Sequence, residues 1–191
     1  MSERFSVGKI GRLHLTAEPS ATAGALLLWV IFSLLGLKAF RLKASAALTG
    51  GLLATILHFV AELWHQYGHA RAAERTGYPM DGVHLWGVLG TSIYPADEPE
   101  LPAEVHVERA LGGPRASATL AVAAGAFAAL VRPFNQIAFM VASIFALENM
   151  AVFTVGAFLP LSFLETDGAA LQRYRNSHRK RMVVILSLIH I

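Results

Sequence analysis

The chain has 191 residues, of which 54% are hydrophobic and only 15% are charged, so it is too apolar for an ordinary soluble domain of this size. Cysteine is absent, which excludes disulfides and thiolate metal ligands and leaves His, Asp or Glu to hold any metal. The net charge is +3, and the basic residues lie beside apolar segments. Basic residues in such positions set membrane orientation more often than they bind nucleic acid, so we expect no nucleic-acid partner.

The N-terminal residues carry Arg4, Lys9 and Arg12 and alternate loosely between apolar and polar positions. Residues 5–15 also contain two glycines, and they predict a short strand or hairpin at the membrane surface, with a floppy tail as the alternative. No small-residue cleavage site follows the first apolar segment, so we expect that segment to be retained and not removed as a signal peptide.

Four segments are apolar and long enough to cross a lipid bilayer. They are Ala21–Leu37, Leu48–Ala70, Ala116–Val131 and Ile137 to about Phe163. With four spans, most of the 16 Lys and Arg residues fall on the side of the two termini, which the positive-inside rule assigns to the cytoplasm. The predicted fold class is an all-α polytopic protein embedded in a lipid bilayer, and we expect the plasma membrane of a prokaryote.

The second predicted span contains the most informative pattern of the chain. His58, Glu62, His65 and His69 follow one another at i, i+4, i+7 and i+11. At about 100° per residue, these side chains fall within roughly 60° of one helical face. Ionisable side chains at membrane depth are costly, and they usually bind ions, move protons or do chemistry. The stripe therefore predicts a functional site, although His58 by itself is equally typical of a hydrogen-bonded core residue or of a partner to a ligand.

Residues 77–108 separate the second and third spans and are interrupted by glycine and proline. The first half is too apolar for a solvated loop and the second half is acidic, which predicts a small β-hairpin or re-entrant segment packed against the helices. An exposed edge strand of this kind can pair with an extended peptide. We expect His84 and His106 at the surface, and we expect the third helix to begin at Leu111-Gly112-Gly113-Pro114.

The i, i+4 spacing of His65 and His69 allows two imidazoles to bind one metal ion from a single helix face. A third protein ligand is then required. Asp167 follows the fourth span, on the same side of the membrane as His69 and at a similar depth, and it can supply a carboxylate. The alternative for Asp167 is a turn residue beside Gly168.

Three blocks of the chain resemble the site-2 protease family of intramembrane zinc metallopeptidases. His65-Gln66-Tyr67-Gly68-His69-Ala70 is similar to the family's His-Glu-x-Gly-His-Ala, Gly113-Pro114 to its Gly-Pro, and Leu159-Pro160 with Asp167-Gly168 to its Pro-x-x-x-Leu-Asp-Gly. The resemblance runs from about residue 5 to 172. It implies one membrane domain over residues 1–172. Residues 173–191 follow as a basic cytoplasmic segment with an apolar tail, which we interpret as a truncated fifth span or a sequence-end artefact.

By this resemblance, His65, His69 and Asp167 are the zinc ligands, and the reaction is hydrolysis of peptide bonds in transmembrane protein or peptide substrates. Zinc would lower the pKa of a bound water and polarise the scissile carbonyl. The chain departs from the family pattern in that Asp167 lies two residues further from Pro160, and Ala157 replaces an Asn.

A third departure concerns the general base, because Gln66 stands where the family has Glu, and an amide cannot accept a proton from water. Losing a general base costs about 10² to 10⁴ in rate. Our hypothesis is that Glu62, one turn earlier, replaces the base while Gln66 positions the water. Glu62 as a partner that orients a His ligand is an equal alternative, and Glu165 is a weaker candidate for the base.

Three functions remain open at this point. The first is an intramembrane zinc metallopeptidase, and the second is a catalytically inactive homologue that keeps the metal and serves as a membrane scaffold. The third is a proton or metal permease that uses the His/Glu stripe, against which the four spans and the lack of an inverted repeat weigh.

Overall fold

The computed structural model describes residues 4–159 and 166–174. Pro160 and Glu165 lie outside these residues. The elements are β1 (Phe5–Ile10), β2 (Leu13–Ala17), α1 (Pro19–Lys38), α2 (Ala44–Arg75), β3 (Gly82–Trp86), β4 (Leu89–Ile93), α3 (Ala103–Val131) and α4 (Gln136–Met150). A π-helical turn, Ala151–Val155, and a 3-10 turn, Gly156–Phe158, extend α4, and residues 167–174 are helical.

Four helices in the described part of the chain are long and apolar enough to cross a membrane, as the sequence predicts. They are α1, α2, α3, and α4 together with its two terminal turns. Large apolar side chains remain exposed along α1 and α2, including Leu26, Leu27, Leu52 and Ile56. Exposure of this kind suits contact with lipid, because a surface that faces lipid need not be polar.

The predicted start of the third helix is wrong. α3 begins at Ala103, and Pro114 lies inside it. Residues 103–115 include Glu104, His106 and Arg109 and therefore lack the apolar character by which the span was identified. This polar first half is nevertheless helical, because it begins with Pro102 as a cap and packs its buried side against α2.

Glycines allow the central helices to approach closely. A Cβ on Gly68 of α2 would lie 2.4 Å from the backbone oxygen of Gly112 in α3, and a Cβ on Gly112 would lie 2.4 Å from the oxygen of Gly68. Such distances are far below a normal carbon–oxygen contact. The backbones of α2 and α3 therefore touch here, as small residues permit in membrane helix pairs.

The four strands form a single sheet in the order β1-β2-β3-β4. β1 and β2 form the predicted N-terminal hairpin, and β3 and β4 form the predicted hairpin between the second and third helices. The two hairpins join through parallel pairing of β2 with β3, which the sequence analysis did not anticipate. β4 is an edge strand within the described residues.

The turn of the β3–β4 hairpin lies against the N-terminal third of α1 and the middle of α2. A Cβ on Gly24 of α1 would lie 2.2 Å from the backbone oxygen of Gly87, so α1 touches the turn. The backbone oxygen of the next residue, Val88, lies 2.7 Å from Nε2 of His58, near the midpoint of α2. The hairpin therefore packs along the C-terminal half of α2, as its apolar sequence predicts.

The expectation that His84 lies at the surface is wrong. His84 is buried on β3, where Nδ1 lies 3.0 Å from Oγ1 of Thr16 and Nε2 lies 3.1 Å from Oε1 of Glu18. The parallel pairing of β2 with β3 creates this environment by placing Thr16 opposite His84. His106 is partly buried and stacks on the ring of Tyr174, with 4.2 Å between ring centroids.

Candidate metal centre

The polar stripe of α2 faces the protein interior. His58, Glu62, His65, Gln66 and His69 are all buried, although their side chains are polar or charged. The opposite side of the same helix exposes mainly apolar and aromatic side chains, among them Leu53, Val60, Trp64 and Tyr67. The 3.6-residue period of the helix thus separates a buried polar face from an exposed apolar one.

Hydrogen bonds orient both imidazoles of the predicted metal ligands. Nδ1 of His69 lies 2.7 Å from the backbone oxygen of Arg109, and Nδ1 of His65 lies 3.0 Å from Oγ of Ser117. A carbonyl oxygen only accepts, so Nδ1 of His69 carries the hydrogen, and its Nε2 is left with a free lone pair. Oγ of Ser117 can accept from Nδ1 of His65 in the same way, and in that tautomer both Nε2 atoms are available to a metal. Partners of this kind typically orient metal-ligating histidines.

Asp167 completes a compact donor set. The two Nε2 atoms lie 3.0 Å apart, and the two carboxylate oxygens of Asp167 lie 3.5 Å from Nε2 of His65 and of His69 respectively. Ligands about 2.0 to 2.1 Å from a tetrahedral zinc ion are separated by about 3.3 Å. The three residues therefore fit one zinc ion, and they form the group that could hold a metal within the described residues.

Gly113 leaves room beside the two nitrogens that would bind such an ion. A Cβ at this position would be 2.3 Å from Nε2 of His69 and 2.5 Å from Nε2 of His65. Any side chain on this residue of α3 would thus fill the gap in front of both nitrogens. Together with the oriented lone pairs, this cradle supports the donor set as a metal site.

Glu62 and Gln66 form a hydrogen-bonded pair beside the histidines. Nε2 of Gln66 donates to Oε1 of Glu62 at 2.9 Å and to the backbone oxygen of Gly90 at 3.0 Å. Oε1 of Gln66 accepts from Oγ of Ser92 at 2.7 Å. Both amide hydrogens are therefore occupied, and the pair is fixed against strand β4.

These residues line a cavity of about 860 Å³ between the helices and β4. The polar wall carries Glu62, His65, His69 and Asp167, and Gly90 to Ser92 of the edge strand follow along it. A largely apolar part of the lining comes from the turns that extend α4. Its described residues include Ala151, Val152, Phe153, Gly156, Ala157 and Leu159.

Arg109 anchors the segment that follows β4. Its buried guanidinium donates to both carboxylate oxygens of Glu98 and to the backbone oxygen of Tyr78, and it lies over the ring of Tyr94 at 4.1 Å. Hydrogen bonding to this guanidinium holds the pKa of the Glu98 carboxyl below its ordinary value. Because its backbone oxygen also binds His69, Arg109 connects the loop with the metal centre.

Residues from other elements support the site, and the sequence pattern did not predict them. Arg109, Ser117, Gly90 and Ser92 all contact the predicted ligands or their neighbours. Two of them act through backbone oxygens, which every residue carries, so their side chains give no signal. Ser117 and Ser92 are small polar residues of a common type, and only their positions in the fold distinguish them.

Among solved structures, the chain is similar to the site-2 protease from Methanocaldococcus jannaschii. The match has a TM-score of 0.62 and 15% sequence identity, and it covers 92% of this chain and 73% of that one. No protein-family model and no curated protein sequence matches the chain. At this identity the likeness establishes a shared fold.

Proposed function

We propose that the protein is an intramembrane zinc metallopeptidase that hydrolyses peptide bonds in membrane protein substrates. The observation that carries this proposal is the convergence of two Nε2 lone pairs and the carboxylate of Asp167 on one wall of a large cavity inside a bundle of apolar helices. The fold shared with a site-2 protease supports it. We further propose that the protein lies in the plasma membrane of a prokaryote with both termini in the cytoplasm.

In this proposal His65, His69 and Asp167 hold one zinc ion. When bound, zinc supplies a water of lowered pKa and polarises the scissile carbonyl. Glu62 serves as the general base, because it is a buried carboxylate on the cavity wall one turn from His65. Gln66 donates to Oε1 of Glu62 and so orients it. This role for Gln66 differs from water positioning, since both of its amide hydrogens are occupied by protein oxygens.

The cavity also suggests how a substrate could be held. β4 is an edge strand within the described residues, and an extended peptide could pair with the part of its edge beyond Gly90, whose backbone oxygen is already bound by Gln66. Apolar side chains of such a peptide would pack against the wall formed by the turns after α4. A transmembrane segment that unwinds locally has both the extended backbone and the apolar side chains that this arrangement requires.

One observation favours a second function, that of a catalytically inactive scaffold. Gln66 stands next to a metal ligand and cannot accept a proton, so a chain in which Glu62 only orients its neighbours would bind zinc without hydrolysis. Such a protein would still hold transmembrane partners in the cavity. The two functions share the metal centre and differ in turnover.

Metal content tests the centre directly. Elemental analysis of the detergent-purified chain should find about one zinc ion per chain, and His65→Ala and Asp167→Ala should each remove it, because three protein ligands are the usual number for a catalytic zinc. Gly125→Ala is a control on the exposed side of α3, since nothing lies within 4 Å of its Cβ position. A native chain that binds no zinc after incubation with the metal would refute the proposed centre.

Turnover separates the two functions. The chain is reconstituted in liposomes with a quenched-fluorescence peptide that contains an apolar transmembrane sequence. A peptidase should cleave it, a zinc chelator should abolish cleavage, and Glu62→Gln should reduce the rate by about 10² to 10⁴. Full activity in Glu62→Gln would eliminate Glu62 as the base. Zinc binding without cleavage of a panel of such peptides would favour the scaffold.

A further inference from the structure

His58 and Glu148 form a second buried ionisable pair, outside the metal centre. Nδ1 of His58 lies 3.0 Å from Oε1 of Glu148, and Nε2 lies 2.7 Å from the backbone oxygen of Val88. His58 is 4% exposed, and the side chain of Glu148 is 14% exposed. Neither residue has a part in the proposed hydrolysis, so the pair requires a separate explanation.

The hydrogen-bond partners determine the total number of protons in this pair. The oxygen of Val88 can only accept, so Nε2 of His58 carries a hydrogen. The short contact with Glu148 requires one more hydrogen, whether it resides on Nδ1 or on the carboxyl group. In both cases the pair has no net charge, which is the state that a buried site among apolar helices tolerates best.

The pair connects three parts of the fold. His58 lies on α2, Glu148 lies on α4, and Val88 lies in the turn between β3 and β4. A buried carbonyl oxygen without a donor is costly among apolar helices, and His58 satisfies the one on Val88. The ring of His58 also packs against Phe153, with centroids 5.5 Å apart.

The strand that follows this turn supports the candidate site. β4 begins at Leu89, and its residues Gly90 and Ser92 hold the amide of Gln66 in place. Gln66 in turn donates to Glu62. The position of the hairpin therefore decides where these two side chains lie. His58 holds the hairpin turn at Val88, while Ser20 of α1 accepts from the backbone N–H of Gly87.

We propose that His58, paired with Glu148, is a positioning residue that anchors the β3–β4 hairpin between α2 and α4. The anchor acts through hydrogen bonds and not through a net charge. It follows that an amide at position 148 can replace the carboxylate, because its N–H can donate to Nδ1 while Nε2 continues to donate to Val88. The proposal concerns the placement of the hairpin and holds whether or not the chain hydrolyses peptides.

The test uses the absence of cysteine from the chain. Leu85→Cys places a single thiol at a buried position of the hairpin, three residues before Val88, and its rate of reaction with a maleimide reports how often the hairpin leaves its position. In this background, His58→Phe keeps a ring but removes both hydrogen bonds, and it should react about 10- to 100-fold faster. Glu148→Gln should remain within about twofold of the parent rate, because it preserves the hydrogen bonds.

Zinc content of the same preparations separates local from general effects. His58→Phe should retain its zinc, because the ligands are oriented by Ser117 and Arg109 and not by the hairpin. His58→Gln keeps an N–H donor for Val88 and should restore slow modification, which gives an answer even where His58→Phe does not fold.

Three results would overturn the proposal. They are a parental rate in a folded His58→Phe variant, fast modification in both His58→Gln and Glu148→Gln, and loss of zinc together with faster modification in His58→Phe. The third would indicate a general structural role. A native chain without zinc would defeat the proposed peptidase function and would leave the modification rates as the test of the anchor.

Discussion

Gly113 offers a sharp test of the metal centre, because a single methyl group should remove the metal without removing a ligand. The Cβ of Gly113→Ala would lie 2.3 and 2.5 Å from the two Nε2 atoms that face each other across the centre. A zinc ion needs both nitrogens in place, about 2.0 to 2.1 Å from it. The methyl group would collide with both imidazoles and push these nitrogens out of the positions in which one ion can bind them.

The expected changes in stability and in metal binding differ in size. Replacing a helical glycine by alanine stabilises a helix by about 1 kcal/mol. Forcing a methyl group into a packed site costs about 1 to 3 kcal/mol. These terms nearly offset each other, so we expect a net loss of about 0 to 2 kcal/mol in unfolding free energy without metal. Zinc affinity should fall at least about 100-fold, the upper range for disturbing a residue that merely supports a ligand.

The assay combines zinc titration calorimetry with thermal unfolding of the metal-free protein in detergent. Gly125→Ala is the matched control, because it makes the same substitution in the same helix where nothing lies within 4 Å of the new Cβ. The control should bind zinc as tightly as the native chain. Native zinc affinity in Gly113→Ala would refute the reasoning, because it would place the metal away from the space between the two histidines.

Three further predictions concern other parts of the structure. Gln66→Glu should destabilise the protein by placing two carboxyls side by side, and adding Glu62→Gln should recover stability in chemical denaturation, since one amide and one carboxylate are again present. Hydrogen bonding to Arg109 lowers the pKa of Glu98 from its ordinary 4.5, so the stabilisation by this ion pair is complete above pH 4.5 and is lost as the pH falls through the folded-state pKa. The melting temperatures of the native and Glu98→Gln proteins should therefore converge as the pH falls through that range. A difference that stays constant with pH would contradict this. Gly68→Ala should be about 1 to 3 kcal/mol less stable than Gly125→Ala, because both gain helix propensity but only the Cβ of Gly68→Ala would meet the backbone of α3. Equal stability of the two variants would argue against the close crossing.

The apolar content and the period of the polar stripe predicted much of the fold. Four apolar segments correspond to the four long helices, and the glycine-interrupted segment after α2 corresponds to the β3–β4 hairpin. The predicted start of α3 was wrong because hydropathy detects only the apolar part of a helix. Residues 103–115 are helical but carry polar side chains on two sides: His106 and Arg109 line the cavity, whereas Glu108 and Arg115 pair away from it.

The sequence predicted those parts of the candidate site that depend on side-chain type and on helical spacing. The i, i+4 histidines are both buried on one face of α2, and Asp167 lies beside them although about 100 residues separate it from them in sequence. The placement of Asp167 followed from the resemblance and from the expected topology. Its distance of 3.5 Å from each Nε2 depends on how α4 and its terminal turns pack against α2.

The sequence by itself determined that four helices are apolar, that one of them carries a buried ionisable face, and that this face has the spacing to bind a metal ion. These properties depend on local composition and on the fixed period of the helix. Only the tertiary structure decided that Arg109 and Ser117 orient the imidazoles, that Gly113 leaves space between them, and that His58 meets the hairpin turn. These are contacts between elements far apart in the chain, and they depend on packing distances that no local pattern encodes.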